Sequence, residues 1–168
     1  LGDIINAMSV LDERGIEVKL LVAGEGPHRE YLEASARRQN ISHLVTFVGW
    51  IDHDDIFDFM CVSDVGLVPH EINRFTDNTI PNKLFDYMRV GLPVLATEMN
   101  PVNRVVTKYE AGRIIPEGAS PDDIADIIDE LRTSRDLDEL GERAKNAIQD
   151  DLNWDREADQ ILRGLNQL

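Results

Sequence analysis

Five short apolar runs recur along the chain, and each is followed by a segment of helical period. They read "IEVKLLVAG" (16–24), "HLVTFVG" (43–49), "DVGLVP" (64–69), "LPVLAT" (92–97) and "AGRIIP" (111–116). Each is too short for a globular helix, is rich in β-branched residues and leucine, and ends at a glycine, proline or threonine. Apolar continuity without strict alternation marks strands buried on both faces, as in parallel sheets. The segments between them, "PHREYLEASARRQN" (27–40), "DHDDIFDFMCVS" (52–63), 81–90 and "NPVNRVVTKY" (100–109), carry apolar residues at helical spacing. Strand–helix alternation of this kind predicts an α/β fold, a doubly wound parallel sheet in one domain. Helices without strands follow over 120–134, 136–150 and 154–166, with Ser120, Pro121, Asp122 and Asp123 forming a capped start.

The first segment, "LGDIINAMSVLDERG", is itself an amphipathic helix stopped by Gly15. A helix that opens such a pattern normally follows a strand. We therefore expect a strand to precede Leu1 on a longer chain. In doubly wound sheets ligands collect at the carboxyl ends of the strands. The loops at 24–27, 49–52, 69–80 and 97–101 are the places to search.

Charge and cysteine content remove several function classes. The net charge of −15 disfavours nucleic acid or an acidic membrane as a partner through general electrostatics. Thirteen Arg and four Lys stand against 19 Asp and 13 Glu, a surface suited to a salt-rich cytoplasm, where screening relieves self-repulsion. Cys61 is the only cysteine, so no internal disulfide forms, and "FMCVSDVGLV" reads it as a small core residue. No Cys/His spacing suits zinc, and no metal site is expected.

The most informative segment is "LVPHEINRFTDNTIPNKLFDYM" (67–88). Pro81 suits the first turn of a helix, and Asn78, Thr79 or Asn82 is placed to cap it. Lys83 then stands where a cation opposes the helix dipole. That position becomes intelligible if the free amides of Asn82, Lys83 and Leu84 hold an anion that the lysine also contacts. Asp86 follows on the same helix face, where a carboxylate can accept from ribose hydroxyls. The bland alternative is an exposed Lys83–Asp86 pair contributing a few tenths of a kcal/mol.

Other features support less. Gly24 and Gly26 form either a backbone cradle for a ligand or a plain turn. Trp50, after Gly49, either stacks on a planar base or packs half-buried, and Gly49 to Ile51 would line a base pocket. Asp52, Asp54 and Asp55 read as helix-capping acids. Among His28, His43, His53 and His70, only His70 follows a strand end and is placed to touch a ligand.

In order along nearly the whole chain, "LLVAGEGPHREYLE", "LVTFVGWI", "FMCVSDVGLVP", "IPNKLFDYMRVGLPVLAT" and "EAGRIIP" resemble the C-terminal, donor-binding half of a GT-B-fold glycosyltransferase of retaining group 1 (family four). The resemblance implies a Rossmann-like domain over 1–168 that binds a nucleotide-sugar. An acceptor glycan or lipid-linked sugar would be held by an N-terminal domain that, with the first strand, lies outside this chain. It implies transfer of the sugar in glycan or polysaccharide synthesis, in the cytoplasm, with no cofactor and no membrane contact by this domain. Alone, the chain is expected to be inert. Residue by residue, Lys83, Asn82 and the Leu84 amide match diphosphate contacts, and Asp86 matches the ribose-binding acid of an E-x7-E pattern. Gly49, Trp50 and Ile51 match the base turn, and Gly24 and Gly26 the glycine turn. The catalytic positions fall on Asn78 and Asp86. Asn78 departs from the pattern, which has Glu there, so Glu71 or Asp77 is the alternative source of a carboxylate. Arg104 likewise stands where many members have an acid. Two other readings stay open: a GT-B-fold nucleotide-sugar epimerase, and a non-catalytic module with a degraded donor site.

Overall fold

In the computed structural model, which describes residues 1–52 and 54–153 together with Arg156, Ala158 and Arg163, each apolar run contains a strand. These are β1 (Leu20–Ala23), β2 (Val45–Gly49), β3 (Gly66–Val68), β4 (Val94–Thr97) and β5 (Gly112–Ile115). The helices are α1 (Gly2–Glu13), α2 (Arg29–Arg38), α3 (Ile56–Cys61), α4 (Asn82–Val90), α5 (Asn100–Tyr109), α6 (Pro121–Thr133) and α7 (Leu137–Asp150). The helix expected over 154–166 lies outside the described residues apart from those three positions, and so does His53. Ser120 and Asp123 close a reciprocal capping box at the start of α6.

All strand pairs are parallel, but the pairing forms two groups rather than one continuous sheet. β1 pairs with β2, and β3, β4 and β5 pair in that order. Between the groups runs a groove of about 1020 Å³, walled by Leu20 to Ala23 on one side and by Val65, Leu67 and Pro69 on the other. Helix α1 floors it with Ile4 and Met8.

The pleat of β4 shows how the layers are wound. Leu95 joins a core with α1, α2 and α6, whereas Val94 and Ala96 join a second core with α4, α5 and α7. Successive side chains of a strand face opposite ways, so the two cores occupy opposite faces. The first core takes residues from both strand groups, Leu20 and Val45 from one and Leu95 and Ile115 from the other. It ties the groups together beneath the groove. The C-terminal helices pack on this body, α6 against α1 and α7 against α4.

Two glycines fix the seat of α4. Gly91 takes a left-handed backbone at φ 81°, and Leu92 N–H donates to the Tyr87 carbonyl at 3.0 Å, ending the helix in a Schellman turn. Gly141 of α7 lies so close to the Gly91 carbonyl that any Cβ there would collide with it. Cys61 corrects an expectation. It is exposed rather than in the core, because α3 is only six residues long and buries Met60 alone. The next side chain along is rotated by about 100° toward solvent.

Candidate functional site

Helix α4 begins at Asn82, with Pro81 at the cap position in an extended conformation (φ −66°, ψ 135°). The cap carries no side-chain hydrogen bond. Both expected cappers are engaged elsewhere: Asn78 Nδ2 donates to the Arg74 carbonyl at 2.9 Å, and Thr79 Oγ1 donates to the Thr76 carbonyl at 3.1 Å. The set of free amides is smaller than the sequence suggests. Leu84 N–H already donates to the Pro81 carbonyl at 3.0 Å, and its side chain is fully buried. The amides of Asn82 and Lys83 have no partner among the described residues.

No acid stands in the first turn of α4, whereas Asp3, Glu30, Asp58, Asp122 and Asp138 occupy the first turns of other helices. Helix α5 also lacks one, but Asp77 reaches it from the preceding loop. Its carboxylate accepts from Asn100 N–H at 2.7 Å and from Asn100 Nδ2 at 2.6 Å. Helix α4 therefore presents the uncompensated positive end of a dipole.

Lys83 adds a full charge to that end. Its side chain is half-buried, and burial alone lowers its pKa from the ordinary lysine value. No carboxylate offsets the effect, which removes the reading of Lys83 and Asp86 as an exposed ion pair. Both side chains line the groove between the strand groups. Tyr87, beside them, packs its ring over Gly66, where a Cβ would overlap it. Its hydroxyl is pushed up by burial first and by Asp86 second.

The groove lining reaches Ala23 and Val48 and stops one residue short of Gly24 and Gly49. These two glycines end β1 and β2 and are joined by a Gly24 N–H to Gly49 carbonyl bond of 2.7 Å. Both have positive φ, 116° and 84°, and a Cβ on Gly49 would crowd Glu25 and Arg29. Gly26 follows in the turn, its carbonyl accepting from Arg29 N–H at 3.1 Å. Trp50 is 76% exposed, so it is not the half-buried packing residue that one reading allowed. Its neighbour Ile51 is half-buried. The Gly24–Gly26 and Gly49–Ile51 turns thus flank one end of the groove, and Lys83 and Asp86 line it from α4.

The loop from 70 to 80 is structured. Asn73 Oδ1 accepts from the Phe75 and Thr76 amides at 2.9 and 3.1 Å, and Thr76 Oγ1 donates to the Glu71 carbonyl at 2.6 Å. A 3₁₀ turn then spans Thr76–Asn78. Asp77 is committed to α5 and does not supply a free carboxylate. Glu71 is exposed. Arg104 is exposed on the first half of α5. At the other end of the loop, His70 is held through its backbone, whose carbonyl accepts from Thr97 Oγ1 at 2.8 Å. His70 Nε2 is buried without a hydrogen-bond partner. Nothing in the sequence signals that burial.

Asp55 occupies the cap position of α3 without a side-chain cap bond, so it supports that helix only through its charge. No group of three or more His, Cys, Asp or Glu among the described residues is placed to share a metal ion. No helix among them is long and apolar enough to cross a membrane.

The family described as "Glycosyl transferases group 1" matches residues 1–134. An alpha-D-kanosaminyltransferase of Streptomyces kanamyceticus is 28% identical over 144 residues, covering 85% of this chain and 35% of that protein. A putative colanic acid biosynthesis glycosyltransferase, WcaL of Escherichia coli, is 25% identical over 170 residues, covering 96% and 41%. The chain thus spans 35% and 41% of the lengths of these two relatives. Among solved structures, Anabaena Alr3699/HepE in complex with UDP and glucose superposes with a TM-score of 0.75 at 20% identity, covering 99% of this chain and 44% of that one. WaaG, a glycosyltransferase involved in lipopolysaccharide biosynthesis, gives 0.72 at 22% identity, covering 88% and 38%. At these identities the two structures establish a shared fold.

Proposed function

Since the chain belongs to the group 1 glycosyl transferases and has the fold of a C-terminal GT-B domain, we propose that it binds the nucleotide-sugar donor of an enzyme that transfers the sugar to an acceptor in glycan or polysaccharide synthesis. One observation carries the reading: a half-buried lysine without a counter-ion among the described residues, at a helix N-terminus that lacks an acid. A diphosphate supplies the missing charge. Its oxygens accept from the Asn82 and Lys83 amides and from the Lys83 ammonium. Asp86 accepts from the ribose hydroxyls, and exposed Trp50 and the backbone of Gly49 and Ile51 meet the base. Gly24 and Gly26 let the main chain approach the same ligand.

The domain's share of catalysis is electrostatic. As the bond from sugar to diphosphate breaks, charge builds on the leaving phosphate, where the dipole of α4 and Lys83 are already aimed. Asn78 stands in the position of the family's first acid, but its amide is turned onto its own loop. The acceptor site, a strand preceding Leu1 and the cytoplasmic setting belong to the same proposal. The groove between β1 and β3 supports the strand, since both walls are strands paired on one side only among the described residues.

Calorimetric titration of UDP, GDP and ADP into the full-length enzyme tests the proposal. One of the three is expected to bind selectively. Lys83→Ala should then lose about 1.5–3 kcal/mol of affinity, the range for a hydrogen bond to a charged group. Absence of binding by all three would move the assignment to a non-catalytic module.

A further inference from the structure

Beyond Lys83 and Asp86, His70 carries a polar group that the fold leaves unexplained. Its Nε2 is a buried polar atom with no partner among the described residues, the only such side-chain atom there. Buried polar groups are nearly always hydrogen-bonded, so an orphan calls for a cause. Its backbone is not free to turn the ring away. The Thr97 hydroxyl bridges the Val68 and His70 carbonyls at 3.3 and 2.8 Å, locking the end of β3 to the end of β4.

The charge acting on the ring is that of Lys83 on α4, a cation, and no carboxylate among the described residues acts on it. In a chain with 32 acidic residues, a histidine and a lysine share a half-buried corner without an anion. Burial first, then Lys83, hold the imidazole below its ordinary pKa, so the free site keeps it neutral.

We propose that His70 is a further donor-site residue, whose Nε2–H donates to the same diphosphate that Lys83 and the α4 amides hold. The assignment rests on the donor reading given above. Binding a polyanion beside the ring reverses the local field. It stabilises the imidazolium and couples binding to proton uptake at His70. Affinity then rises as pH falls from the bound-state pKa of His70 to its lower free-state pKa. Phosphate protonates in a similar range, near pH 6, so a variant without the imidazole provides the reference.

The experiment follows the His70 imidazole of the full-length enzyme by NMR between pH 5 and 8.5, first free and then with UDP, GDP or ADP at saturation. Its signal is identified by loss in His70→Gln. The His70 pKa is expected to rise on binding, by about one pH unit or more. His70→Gln places an amide nitrogen near Nε2 and should keep most of the affinity at pH 8 while losing the wild-type pH slope. His70→Ala should weaken binding about tenfold, with its circular-dichroism melt confirming the fold. If a nucleotide binds in a Lys83-dependent way and the His70 titration does not move, the His70 assignment falls and the donor reading stands. If no nucleotide binds the enzyme, both fall.

Discussion

Lys83 works against the fold that carries it. Burial lowers its pKa in the folded chain, while the unfolded chain keeps a value near 10.5. The penalty is therefore complete at neutral pH and fades as pH rises from the folded value toward 10.5. Lys83→Met keeps the volume and removes the charge. It should raise the melting temperature of the free chain at pH 7 by about 2 °C or more. The same substitution should abolish the further rise that a saturating nucleoside diphosphate gives the wild type by mass action. A scan with and without ligand reads both effects. Lys83 itself was legible in the sequence, because a lysine beside "IPN" contradicts the helix dipole. Its half-burial without an ion pair to Asp86 was not, because that depends on strands packed around the groove from distant parts of the chain. His70 and Cys61 fall under the same limit. One residue's rotation decides whether each is sheltered or exposed, and spacing in a short segment does not encode that.

Among the elements, the loop leading into α4 is held by α5. Asp77 gives α5 its only carboxylate cap through two bonds from Asn100, and so fixes the loop on the far side of the site. Asp77→Ala should cost about 1 kcal/mol of stability, the usual loss for a helix cap, readable as a lower urea midpoint. It should weaken nucleotide binding less than Lys83→Ala does. If it weakened binding as strongly, Asp77 would touch the ligand. The sequence offered Asp77 as a stand-in for the acid missing at Asn78, since both lie in one polar loop. The structure assigns it instead to the helix after β4, 23 residues on. The strands and helices themselves were readable, because each apolar run closes at a turn residue and each helix shows a 3.6-residue period. Their pairing was not. Five parallel strands suggested one sheet, and local pattern does not report that β1 and β3 stand apart.

For the whole molecule, a net charge of −15 sets the response to salt. The ten ion pairs of Lys or Arg among the described residues use acids that are mostly exposed, as at Asp122, Glu139 and Glu110. Such pairs contribute little each, while the surplus acids repel one another over the surface. Raising sodium chloride from 0.05 to 1 M should therefore raise the melting temperature, because screening shortens the Debye length to about 3 Å. A flat or falling curve would show that repulsion among the acids is not a limit on stability.

The contact between Gly91 and Gly141 has a mechanical consequence. With backbone against backbone and no side chain between them, the two elements meet at a spacing that any side chain at position 141 would force apart. A larger residue there would displace the C-terminal end of α4 and, through the stiff helix, change where its Asn82 end is aimed.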